Sequence, residues 1–219
     1  YTTIERMLFL DGKLPFTETR YLYFPRTFTY LYGTDDEYED RPFYVDINGN
    51  DIRPVREEVS MWRTYWIRDW LGFTQDPFEF YLTEGEHTIC LESAREPLII
   101  QSIHIFPYEE EASYEETLAK WKASGLQEIS GVAPVKVQAE TPKYISEMAI
   151  LPSAERTSCI TEPQDPAVVR YNMCSSGTAN SFLTYEVNVE KEGLYYIVCR
   201  FRQNEQIGVF TNRRVYING

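Results

Sequence analysis

The 219-residue chain is short of the residues most chemistry is built on. It has two histidines, His87 and His104, and four cysteines with no CxxC pair among them. Thiolate zinc sites need clustered ligands, so Cys90, Cys159, Cys174 and Cys199 point away from metal binding. Cys90 and Cys199 sit in strand-like segments and read as small buried hydrophobes. Cys159 and Cys174 flank a loop and are free to pair if the protein is exported. There is no Gly-x-Ser-x-Gly elbow, no phosphate-cradling glycine loop and no paired-His motif, so catalysis is poorly supported. Glycoside hydrolysis needs two carboxylates facing each other across a cleft, and among 34 acidic residues the sequence singles out no pair.

Basic charge is also scarce. Lys and Arg number 21 against 34 Asp and Glu, a net charge of −13. Without a basic run this is the wrong surface for nucleic acid, whose phosphates are held by cations. The longest apolar stretch, Pro97 to Phe106, is broken by Gln101, Ser102 and His104, well short of the ~20 residues of a membrane helix. No initiator Met or leader pattern opens the sequence, which suits a start within a longer protein or after processing.

Aromatics, by contrast, are plentiful: 15% of residues, with 17 Tyr and 12 Phe, accompanied by 11 Gly and 12 Pro. That mixture suits short strands and many turns. Strands are expected at Ile4 to Leu10, within Arg20 to Tyr32, and at Phe78 to Leu82, His87 to Glu92 and Leu98 to Phe106. Further ones are expected at Val135 to Ala139, Phe182 to Val189, Leu194 to Arg202 and Arg213 to Ile217. The acidic stretch from Thr34 to Asp40 reads as a solvated loop. Val55, Val59, Trp62 and Trp66 fall at spacings of four, three and four and predict a helix ending at Gly72. Ser113 and Glu116 form a capping-box pattern opening a short helix that stops at Gly125.

A repeat links the two ends. Arg6 to Gly12 matches Arg213 to Gly219 in its Arg, hydrophobic, Asx and Gly positions. The expected organisation is therefore residues 1–110 as the rear of one module with an inserted helix, 111–131 as a helical connector, and 132–219 as the front of a second module. Neither part would close its sheet alone, so the two part-modules are expected to complement each other. The fold class is all-β with minor helices, an antiparallel β-sandwich.

Two segments, Phe80 to Leu91 and Tyr185 to Ile197, resemble the strand-turn-strand signatures of galactose-binding-like jelly rolls, a fold shared by many carbohydrate-binding modules. Val137-Gln138-Ala139-Glu140 resembles the opening strand of such modules. Leu10 to Phe16, Phe24-Pro25-Arg26, Asn48 to Pro54, Arg95-Glu96-Pro97 and Arg202-Gln203-Asn204 resemble segments of large extracellular solute-binding lipoproteins. Those serve sugar ABC importers of Gram-positive bacteria and carry extra jelly-roll modules. The resemblance implies a non-catalytic carbohydrate-binding region at the cell surface, with the lipid anchor elsewhere. Its partners would be an oligosaccharide or polysaccharide and other modules of the same lipoprotein. It also implies a structural calcium ion held by Glu140. The alternatives are a purely structural spacer or protein-interaction module, and an accessory region of a glycoside hydrolase.

Sugar recognition needs aromatic faces and planar polar donors at loop ends. Tyr32, Tyr38, Trp62, Trp66, Arg202 and Asn204 have those chemistries, and each also has a structural reading, as a core ring or as a tie between strand ends. Where Phe182 stands, sugar-binding modules of this type often carry a Trp.

Overall fold

The computed structural model describes residues 3–33, 42–126, 128–154, 167–175, 178–203, 207–208 and 211–218. Tyr38, Asn204 and Cys159 lie outside the described residues. The chain is mostly β, with antiparallel sheets and one α-helix among the described residues. It divides into two compact units, 1–110 with 135–188 and 111–134 with 189–219.

The first unit holds all the described strands. β1 (Ile4–Leu10) lies between β2 (Leu22–Phe24) and β5 (Ile89–Arg95), antiparallel to both. Its register sets Leu8 opposite Leu91 and Phe9 opposite Cys90, then shifts between Glu5 and Arg6. At the shift the buried Arg6 guanidinium turns inward, and its Nη1 donates to the Glu5 and Arg95 carbonyls at 2.6 and 2.8 Å. A buried cation is tolerated only with such partners. β1 ends in the Asp11-Gly12 turn, both residues at positive φ (50° and 74°). Asn218, the repeat's counterpart of Asp11, has φ 60°, so the two copies of the motif share the left-handed step at this position.

The second sheet orders β4 (Val55–Glu58), β3 (Phe28–Leu31), β6 (Tyr144–Ile145) and β9 (Leu183–Thr184). Strands from the front and back of the sequence thus share one ladder, with Phe28 opposite Ile145. The core gathers there: Phe28, Tyr30, Ile145 and Ile150, the two isoleucines at 0% exposure, with Tyr32, Met148, Cys174 and Leu183 packed around them. The Tyr30 hydroxyl donates to the Ile150 carbonyl, which satisfies both groups inside the core. Burial pushes the Tyr30 phenol and the Cys174 thiol up to about 12. A third pair, β7 (Leu151–Ser153) and β8 (Met173–Ser175), runs antiparallel beside it in the chain.

The helix expected from Val55 through Trp66 does not form. Val55 to Glu58 is β4, matched residue for residue to Leu31 through Phe28, and residues 59–67 carry no regular structure. The edge of β3 offers ladder bonds that a lone helix turn cannot match, and Arg56 reaches past it to the Met148 carbonyl. Cys90 and Cys199 are exposed, which corrects the expectation that they are buried.

In the second unit the capping box forms as expected. Ser113 Oγ accepts from Glu116 N at 3.3 Å and Glu116 Oε2 accepts from Ser113 N at 2.8 Å, opening α1 (Tyr114–Ala123). Gly125, at φ 89°, follows it. A parallel bridge joins Glu128 to Leu194.

Several expected strands are not built. Among the described residues, Leu98 to Phe106 in the first unit and Leu194 to Arg202 and Arg213 to Ile217 in the second form no strand, with only that bridge at Leu194. Ile197, Phe201 and Ile217 stand more than half exposed. Strand-forming side chains make no strand without a neighbour to take their backbone groups. After β5 the chain is turned by Glu96 at φ 58°, a left-handed conformation that a non-glycine residue adopts at a cost.

One ionic contact closes the turn after β1 against the chain entering β5. Asp11 accepts from His87 Nδ1 at 2.8 Å and from Thr88 N at 2.8 Å. Asp11 is lowered, by the Thr88 hydrogen bond first and by His87 next, and His87 is raised, chiefly by Asp11. The Asp11 contribution is full above about 3.8 and is lost as pH falls through its lowered value. The His87 contribution is full below about 6.5 and is lost as pH rises through its raised value. His87→Gln should therefore lower Tm most between those limits and converge on the parent in alkali, as thermal melts across pH would show.

Candidate functional site

The first unit contains a cleft of about 230 Å³ between the β1–β2 edge and the segments around 146–149 and 179–181. Tyr23 and Trp70 form one wall, their rings stacked at 4.4 Å with 25° between planes, and Phe24 and Phe28 extend the apolar lining. Arg26, Ser146, Glu147 and Asn180 are polar residues beside it.

The Trp70 wall is held from behind. The buried Asp69 carboxylate accepts from Leu71 N at 3.0 Å, Phe73 N at 2.7 Å and Thr74 N at 3.1 Å, fixing the loop that follows the tryptophan. Asn180, at φ 57°, spends both amide hydrogens on the Asp69 and Trp70 carbonyls at 2.7 and 3.0 Å. Gly72, at φ 76°, brings this loop so near the 179–181 turn that an added Cβ would stand 3.1 Å from the Ala179 methyl. Burial, then the Glu5 charge, raises the Tyr23 phenol, so it stays a neutral ring at neutral pH.

The polar groups of the cleft are unequally occupied. Arg26 gives Nη1 to Glu58 at 2.6 Å and Nη2 to Glu96 at 3.1 Å, so its charge is matched by two carboxylates. Ser146 Oγ accepts from Phe182 N at 2.9 Å. Glu147 Oε1 is buried and has no hydrogen-bond partner.

The residues singled out from the sequence lie elsewhere. Tyr32 packs edge-on to Phe43 and beside Tyr30, and its hydroxyl donates to the Pro142 carbonyl at 3.2 Å; burial pushes the phenol well above its ordinary value. Trp66 rests against Phe106 at 5.5 Å, whereas Trp62 is 64% exposed. None of the three lines the cleft. Arg202 belongs to the second unit and is exposed. Phe182 has its ring covered by the Arg63 guanidinium at 3.8 Å, a cation–π contact. Of the cleft's own residues, Phe24-Pro25-Arg26 stood out in the sequence as part of a motif. Trp70 lies four residues beyond Trp66, on the same expected stripe, but was not singled out there, and Glu147 and Asn180 carry no local signature.

Glu140 is 5% exposed, and its Oε2 has no hydrogen-bond partner. Burial first, and the charge of Asp51 further, push its carboxyl up. Asp51 itself is engaged, accepting from Tyr171 N at 2.8 Å and facing Arg170 at 3.4 Å. The described residues contain no group of three His, Cys, Asp or Glu side chains poised for a metal. Glu140 Oε2 would supply one anionic ligand of the six to eight oxygens that calcium takes.

Asn180→Asp keeps the left-handed turn and removes both donated bonds. It should cost about 1–3 kcal/mol in denaturant unfolding and loosen Trp70, seen as a red-shifted tryptophan emission. Comparisons with family models, curated proteins and solved structures return no match to this chain.

Proposed function

We propose that the protein is a non-catalytic carbohydrate-binding region of jelly-roll, galactose-binding-like type. On the motif resemblance, it serves a cell-surface solute-binding lipoprotein of a sugar ABC importer. The observation that carries the binding role is the cleft: an aromatic wall fixed by Asp69 and Asn180, with carboxylate, amide and hydroxyl groups around it. Sugars are bound by this combination, since their C–H faces stack on rings while their hydroxyls need polar partners. Polysaccharide or oligosaccharide is the expected ligand, with neighbouring modules of the same protein as further contacts. In this reading Glu140 holds a structural calcium ion, and the chain contributes no bond-breaking step.

A spacer role is the competing reading, favoured by the exposed apolar side chains of Ile197, Phe201 and Ile217, which suit contacts to other modules. Calorimetry against a panel of plant and bacterial glycans separates the two. Binding that is weakened about tenfold or more by Trp70→Ala supports the carbohydrate role, because stacked aromatic anchors dominate such sites. Silence across the panel leaves the spacer.

Calcium makes a separate test. Added calcium should raise Tm of the parent, since an ion bound by the folded state alone stabilises it. The rise should disappear in Glu140→Gln. An equal rise in both proteins would remove Glu140 from the ion.

A further inference from the structure

The motif that occurs at residues 6–12 and again at 213–219 forms a strand in one copy and none in the other. In the first, β1 lies between β2 and β5 and its Leu8 is 7% exposed. In the second, Val215 and Ile217 stand 66% and 68% exposed, and residues 213–217 form no strand. We infer that 213–217 is an interaction strand whose partner is a second copy of this chain, and that it adds to the outer edge of that copy's β5.

The edge is available. β5 stands at the end of the order β2-β1-β5, and among the described residues Ile89–Arg95 makes no main-chain hydrogen bond outside the β1 ladder. An edge in that state presents a row of N–H and C=O groups to any extended segment of matching pattern.

β1 itself shows that this motif and β5 match. Its Leu10, Leu8 and Met7 stand opposite Ile89, Leu91 and Glu92. The same register for the second copy of the motif sets Ile217 level with Ile89, Val215 level with Leu91 and Arg214 level with Glu92. Apolar residues stay beside apolar ones. Within 213–217 an apolar residue of β1 gives way to a charge at one position, Met7 to Arg214, and that charge is opposite to the one it would meet. Opposite charges across a ladder stabilise the pair, and like charges there oppose it. Both side chains belong to exposed residues, so the ion pair adds little affinity and serves chiefly to fix the register.

The choice of a second copy follows from self-complementarity. Every molecule carries both the strand and the open edge, which is the condition for a two-fold pair that exchanges the same contact in both directions. Association also covers the alternating apolar side chains of a segment that would otherwise template less specific pairing.

The test is analytical ultracentrifugation of the full chain and two exposed-charge variants, Arg214→Glu and Glu92→Arg, from about 1 μM to 1 mM, the range of weak contacts. The parent should associate reversibly, and amide exchange should slow at 89–95 and 213–217 together as concentration rises. Each variant alone sets like charges level with each other and should associate about fivefold or more weakly, with circular dichroism confirming the fold. Mixed in equal amounts the two variants should recover the parent's association, because each brings the charge the other lacks. A parent that stays monomeric across the range would overturn the inference. So would association that neither substitution weakens, or a mixture that associates no better than its separate components.

Discussion

The burial of Ile145 against Phe28 is the contact on which the first unit depends. β6 is only two residues long, yet it is the ladder partner that joins β3, from the front of the sequence, to β9, from the back. Fully burying such a side chain contributes roughly 1.5–3 kcal/mol. Tyr30 and Ile150 close over the same spot and remove the remaining polar groups from need. A second tie runs in parallel through Asn48 to Asp51. Asp46 shapes that turn by accepting from Asn48 N and Asn50 N, both at 2.8 Å, and Asn50 and Asp51 exchange bonds with Val169 and Tyr171. This apolar contact and this polar turn, each spanning more than a hundred residues, head the ties between the front and back segments of the first unit.

The cleft inherits its shape from this arrangement. Its β2 side is fixed by β1, and its opposite side, around 146–149, begins at the residue after Ile145. Ser146, whose backbone N donates to Phe182 O and whose hydroxyl accepts from Phe182 N, carries the constraint on to Asn180 and from there to Trp70. Ile145 and Phe182, which do not line the cleft, thus help set where its aromatic wall stands. That is how binding clefts in β proteins are commonly organised, with loops presented by a rigid ladder.

The parts of this fold legible in the sequence are those decided locally. β1 and its Asp11-Gly12 turn, the strand within Arg20 to Tyr32, β5 and the capped α1 each carry their own signal in alternation, turn chemistry or a capping pair. The misreading of Val55 to Trp66 has a physical cause. A stripe at spacings of four, three and four is only a preference, and the free edge of β3 outweighs it. The short strands β6, β7 and β8 were invisible for a related reason, whereas β9 falls within the expected Phe182 to Val189. Two or three residues have no period to detect, and their conformation comes from partners over a hundred positions away. The same holds for the cleft. Tyr32, Trp62 and Trp66 had the right chemistry by type, but stacking depends on which rings the ladders bring together, and Tyr23 with Trp70 is a pairing only the tertiary structure makes.

The thiol of Cys174 shows what the closed core does to chemistry. Its proton is held to about 12, whereas Cys90 and Cys199 stand on the surface. Alkylating reagents attack the thiolate, so at neutral pH they would modify Cys90 and Cys199 before Cys174, which they reach only when the sheet parts. The rate at which Cys174 itself is modified would be a clock for opening of the junction between the front and back segments of the first unit.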